Sequence, residues 1–99
     1  MPYTIRFSPE TANQLRTLTA RQQAVVLDAI DKQLAYEPLL ETRNRRPMRP
    51  NKLAGWELRV GDLRVYYDVD EEPEGVVHVR AVGIKERNRL RIAREIIEL

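Results

Sequence analysis

The sequence predicts an α+β fold, a small antiparallel sheet with an N-terminal helical hairpin on one side and a C-terminal helix. Three observations predict it. Residues 56–82 alternate apolar and polar side chains, and a Gly-Asp pair interrupts them. Residues 9–37 instead repeat apolar side chains every three or four positions behind two capping signals. Between them lie 18 residues, 38–55, rich in proline and arginine. A period of two marks a half-buried strand and a period near 3.6 an amphipathic helix, so the two halves bury one face each against the other.

The elements follow in chain order. Tyr3, Ile5 and Phe7 alternate with Thr4 and Arg6, which predicts a short first strand. Ser8-Pro9-Glu10 then starts a helix: the serine caps, proline suits the first helical position, and the acid complements the positive helix end. Ala12, Leu15 and Leu18 supply its inner face. Thr19 and Gln22 have the spacing of a capping box, and Val26, Ile30 and Leu34 recur behind it, flanked by Leu27. Pro38 disfavours helical geometry at Glu37 and ends the second helix. Residues 38–55 read as a long connection, a length that in compact domains marks either a functional loop or a mobile linker.

Trp56, Leu58 and Val60 alternate with Glu57 and Arg59, and Gly61-Asp62 suits a tight hairpin. Leu63, Val65, Tyr67 and Val69 continue the alternation, an acidic turn follows at 70–75, and Val76 to Val82 complete a three-stranded meander. After Gly83 the spacing of Leu90, Ala93 and Ile97, with Ile96 beside them, predicts a final helix. The predicted order is β-α-α-β-β-β-α.

Composition excludes several chemistries. The chain has no cysteine, a single histidine, His78, and a single serine, Ser8, which removes disulfides, thiolate zinc, thiol nucleophiles and a serine triad. Its four glycines fall at turns, and none forms a phosphate-cradling loop. No apolar run approaches the roughly 20 residues of a membrane span, and the N-terminus lacks a signal-peptide pattern, so a soluble protein of the reducing cytoplasm is expected.

The charge is nearly balanced, 17 bases against 15 acids, but it is segregated. Residues 43–52 carry five bases and no acid, residues 85–94 five bases and one acid, and residues 61–82 six acids and two bases. Two such clusters suit a polyanion, or else are a solvated loop and a solvated helix face. Arg59 lies opposite the apolar set of its strand, so burial of Leu58 exposes it. Arg64, Arg80, Lys52 and Lys85 are further cations of the kind that binds a phosphodiester and stabilises the charge developing on it; cross-strand ion pairs are the alternative use.

The runs Asn51-Lys52-Leu53, Trp56 to Val69 and Val79 to Arg87, with the opening Tyr3 to Glu10, resemble the RelE/ParE superfamily of bacterial and archaeal toxins, the toxin halves of type II toxin–antitoxin systems. The resemblance spans nearly the whole of residues 1–99 and implies one toxin domain of RelE-like fold. RelE-like members cleave messenger RNA in the ribosomal A site without metal, and ParE-like members inhibit DNA gyrase. The resemblance favours the first activity and keeps gyrase inhibition as the alternative.

It implies catalytic roles for Lys52, Arg59 and Lys85 and no cofactor or metal. Its basic surface implies substrate binding by Arg45, Arg46, Arg49, Arg64, Arg80, Arg87 and Arg91. The expected partners are a cognate antitoxin, the ribosome and mRNA, or gyrase in the alternative, and no membrane. One position departs from the family: the tyrosine of its final segment is Arg91 here. An arginine stays charged and is a poor proton acceptor, which leaves Glu86, Tyr66 and His78 as candidates for proton transfer.

Overall fold

The computed structural model describes residues 2–93 and 95–97. Its elements are β1 (Thr4–Phe7), α1 (Pro9–Arg16), α2 (Ala20–Leu34), β2 (Arg45–Pro47), β3 (Trp56–Val60), β4 (Leu63–Asp70), β5 (Val76–Glu86), β6 (Arg89–Ile92) and β7 (Glu95–Ile97). The fold is α+β, as predicted, and the helix starts match their signals. Ser8 accepts the Thr11 amide at 3.1 Å. Thr19 and Gln22 close the capping box in both directions, at 3.1 and 2.9 Å.

The sheet is larger than the predicted meander. Its order is β2-β3-β4-β5-β6-β7, with β1 paired to β5 in parallel. β5 is the hub: β4 takes one edge, while β1 and β6 share the other, beside its first and last halves respectively. Within the connection 38–55, residues Arg45–Pro47 add β2 against β3.

The predicted C-terminal helix is not found among the described residues. β5 continues to Glu86, the chain turns at Arg87 (φ 56°), and β6 and β7 follow. Leu90 and Ile92, two apart, are the buried pair, so the working period is two and not the helical spacing of Leu90, Ala93 and Ile97. Gly83 makes room for this return: a Cβ there would meet the Arg91 carbonyl at 2.6 Å. Arg94 of the second basic cluster lies outside the described residues.

Two apolar clusters lie on opposite faces. Leu58, Val65, Tyr67, Val77, Val79 and Val82 pack beneath α2 with Val26, Ile30 and Leu34. Each fully buried aliphatic side chain stabilises by about 1.5–3 kcal/mol. On the other face Tyr66, Ala81, Leu90 and Ile92 gather Met48, Leu53 and Ala54 from the loop before β3. A bulge allows this arrangement. Tyr66 pairs with Ala81 but Tyr67 with Val79, so Arg80 is the extra residue and the facing of β5 reverses there. Helix α1 docks at this irregularity: Thr11 Oγ1 donates to the Val79 carbonyl at 2.9 Å, and Gln14 Oε1 accepts the Val82 amide at 2.9 Å.

Candidate functional site

The sheet face opposite the helices carries the polar chemistry. Cross-strand register puts Arg46, Glu57, Tyr66 and Ala81 in one row over β2 to β5, and Arg59, Arg64 and Gly83 in the next. Arg59 and Arg64 are direct cross-strand partners. Like charges so placed repel, and the neighbouring carboxylate is Glu57, whose Oε1 accepts from Arg59 Nε at 2.8 Å. Glu57 is only 13% exposed, whereas Arg59 is 44% exposed. Arg64 turns toward the hairpin, donating to the carbonyls of Gly61 and Leu63 at 2.6 and 2.9 Å.

Lys85 lies on the same face, two residues beyond Gly83, where its amide donates to the Asp62 carbonyl at 2.7 Å. Strand spacing puts its Cα about 12 Å from that of Arg59, within the reach of two long side chains around one phosphate.

Lys52 stands at the other end of this face, on a loop pinned by Asn51. The Asn51 side chain accepts the amides of Leu53 and Ala54 at 2.7 and 3.1 Å and donates to the carbonyls of Arg49 and Ala54 at 2.7 and 2.9 Å. Leu53 and Ala54 anchor the loop on Tyr66 and Ala81. Lys52 and Arg80 line an open groove of about 880 Å³ between this loop, α1 and the C-terminal strands. Arg49 is exposed beside Lys52 on the same loop, and Arg46 is exposed at the β2 edge.

The other predicted cations are placed elsewhere. Arg45 points to the helix side, where its Nη1 donates to the carbonyls of Gln33 and Glu37 at 2.6 and 2.7 Å and so closes the end of α2. Arg91 pairs with Ile84, on the face opposite Lys85, and its Nε donates to Glu86 at 2.6 Å. Arg87 lies at the β5–β6 turn, where it rims a second cavity with Arg89 and Arg91.

With this geometry in place, comparison with known proteins is informative. No family model matches the chain. Toxin RelG of Mycobacterium tuberculosis is 34% identical over 80 residues, covering 81% of this chain and 88% of RelG. The chain belongs to the RelE family of toxins. A solved toxin–antitoxin complex, RelBE2 of the same organism, contains a chain superposing with a TM-score of 0.71 at 29% identity, over 86% of this chain and 100% of that one.

In this RelE-family toxin two of the three groups proposed from sequence for proton transfer lie away from the arginines, and the third, Tyr66, shares their face but is buried. Glu86 is on the opposite face with Arg91. His78 contacts Asp70 at 3.0 Å, beyond Asp68, about 14 Å along the sheet from the Arg59–Arg64 row. Tyr66 is 1% exposed; burial first, and then the adjacent Glu57 carboxylate, push its phenol well above the ordinary value, so it stays protonated. The residue that the sequence reading missed is Glu57 itself. Its one sequence signal is position: two before Arg59, it must share that strand face.

Among the described residues, no three His, Cys, Asp or Glu side chains converge as metal ligands. Nor is any helix there long and apolar enough to cross a membrane.

Proposed function

We propose that this toxin is a ribosome-dependent mRNA endoribonuclease that acts in the cytoplasm, arrests translation and is neutralised by a cognate antitoxin. The observation that carries the reading is the facing pair Arg59 and Arg64 on an exposed sheet face, with Lys85 beside them. The two arginines leave neighbouring strand positions, one resting on Glu57 and the other on hairpin carbonyls, and a phosphodiester offers both an anion with geometry suited to the guanidinium fork.

RNA carries its own nucleophile. The ribose 2′-hydroxyl attacks the adjacent phosphorus, the bond to the 5′-oxygen breaks, and a cyclic phosphate and a free 5′-hydroxyl result. The protein's tasks are then alignment, stabilisation of the charge on phosphorus and movement of one proton. Arg59 and Lys85 stabilise the phosphate. Lys52, Arg46, Arg49, Arg64 and Arg80 hold the flanking backbone, and the ribosome aligns the codon. The relative solved as a toxin–antitoxin complex supports a protein partner of the same kind here.

Induced expression with mapping of mRNA 5′ ends tests the reading. Cuts inside translated codons are expected. Intact mRNA together with loss of DNA supercoiling would instead make this toxin a gyrase inhibitor.

A further inference from the structure

We propose that Glu57 is the general base of the cleavage step, accepting the proton of the attacking 2′-hydroxyl. The proposal rests on the endoribonuclease reading and supplies the proton acceptor that reading lacks. Glu57 shares the face of Arg59 and Arg64, and its Oε1 is 2.8 Å from Arg59 Nε, so a phosphate bound by Arg59 lies next to this carboxylate. The other carboxylate of that face near the row, Asp68, is engaged on both oxygens, by the Gly55 amide at 2.8 Å and by Arg80 Nε at 3.1 Å.

The charged and titratable groups facing Glu57 are Arg46 from β2, Arg59 from its own strand, and Arg64 and Tyr66 from β4; its row partner on β5 is the uncharged Ala81.

Substrate binding activates it. When the phosphate draws Arg59 toward itself, Glu57 Oε1 loses the donor it holds at 2.8 Å and can accept from the 2′-hydroxyl instead. Glu57 then takes the 2′-hydroxyl proton while the O2′–P bond forms and the P–O5′ bond breaks. The departing 5′-oxygen takes a proton from solvent, and Glu57 returns its own to solvent. The step is a net transesterification and consumes no water, metal or cofactor.

Single-turnover cleavage of mRNA on purified ribosomes tests this, with wild-type toxin, Glu57→Gln and Glu57→Asp compared across pH 5 to 8. Glutamine keeps an oxygen to accept from Arg59, so the melting temperature and ribosome affinity should match wild type. The rate with Glu57→Gln should fall by about 100-fold or more, the usual contribution of a general base, and the residual rate should lose the low-pH decline that wild type shows. Glu57→Asp, with a carboxylate one methylene shorter, should recover part of the rate and the low-pH decline. A Glu57→Gln rate within a few-fold of wild type, with the decline intact, overturns the proposal and leaves the endoribonuclease reading standing. A rate loss matched by an equal loss of ribosome binding overturns it too, since Glu57 would then only position Arg59. Wild-type toxin that cuts no mRNA overturns both.

Discussion

The Gly55 amide donates to Asp68 Oδ1 at 2.8 Å, and this bond joins the loop carrying Lys52 to the sheet that carries Arg59. The second oxygen of Asp68 accepts from Arg80, so one carboxylate holds both the loop and a cation of the groove. A Cβ at residue 55 would come within 3.1 Å of that same oxygen, so a larger residue there would push the Asp68 carboxylate aside by a few tenths of an ångström.

Asp68→Ala releases the loop on one side and Arg80 on the other. The side chain is partly exposed, so stability should fall by only about 1 kcal/mol. Cleavage should fall by about tenfold through misplacement of Lys52. Thermal melting and ribosome-bound cleavage, measured on the same preparation, separate the two effects.

Arg59→Ala should abolish cleavage and toxicity while leaving the fold intact. Arg59 is 44% exposed but Glu57 only 13%, so removing the arginine should cost about 1–3 kcal/mol by leaving a largely desolvated carboxylate without its donor. A well-folded, fully toxic variant would remove Arg59 from the site.

The nucleophile is testable by chemical substitution. Deoxyribose at the cut position removes the attacking oxygen, and cleavage should stop. Cleavage at an undiminished rate would mean that water attacks instead.

The antitoxin should contact this chain through a segment rich in Asp and Glu with apolar anchors between them, because exposed arginines and Lys85 crowd the open face and the β5–β6 turn. Association rates should fall as salt rises from about 50 to 500 mM. A salt-independent rate, measured by stopped flow, would count against this.

Alkaline pH should weaken the fold. Tyr66 and Tyr67 both have phenols pushed up from an ordinary value of 10.0, chiefly by burial. A raised folded-state value means that the native state keeps protons which the unfolded state releases. Stability is therefore complete below pH 10 and declines above it, by up to about 1.4 kcal/mol per pH unit for each phenol. Urea unfolding at pH 9 and pH 11 checks this, and Tyr66→Phe should flatten the decline.

The first half of the fold was legible in the sequence because its signals are local. Ser8 and Thr19 satisfy amides three residues away, and Val26, Ile30 and Leu34 need only the helical repeat to find one face. The alternation around Leu58 likewise sends Arg59 to the opposite face whatever the partners of its strand. Tertiary structure decided the rest. β2, β6 and β7 are three or four residues long, too short to carry a period of their own, and they are strands because β3, β5 and then β6 offer unpaired edges. Leu90 and Ile92 became a strand pair because Tyr66 and Ala81 lie open beneath them. The bulge at Arg80 reverses the facing of β5, a change that apolar spacing alone does not reveal along Val77, Val79, Ala81 and Val82. Register also sorted the arginines, sending Arg45 to the end of α2 and Arg91 to Glu86 while setting Arg59 against Arg64. Composition counts charges, but only strand pairing places them, because a side chain's neighbours in a sheet come from other strands.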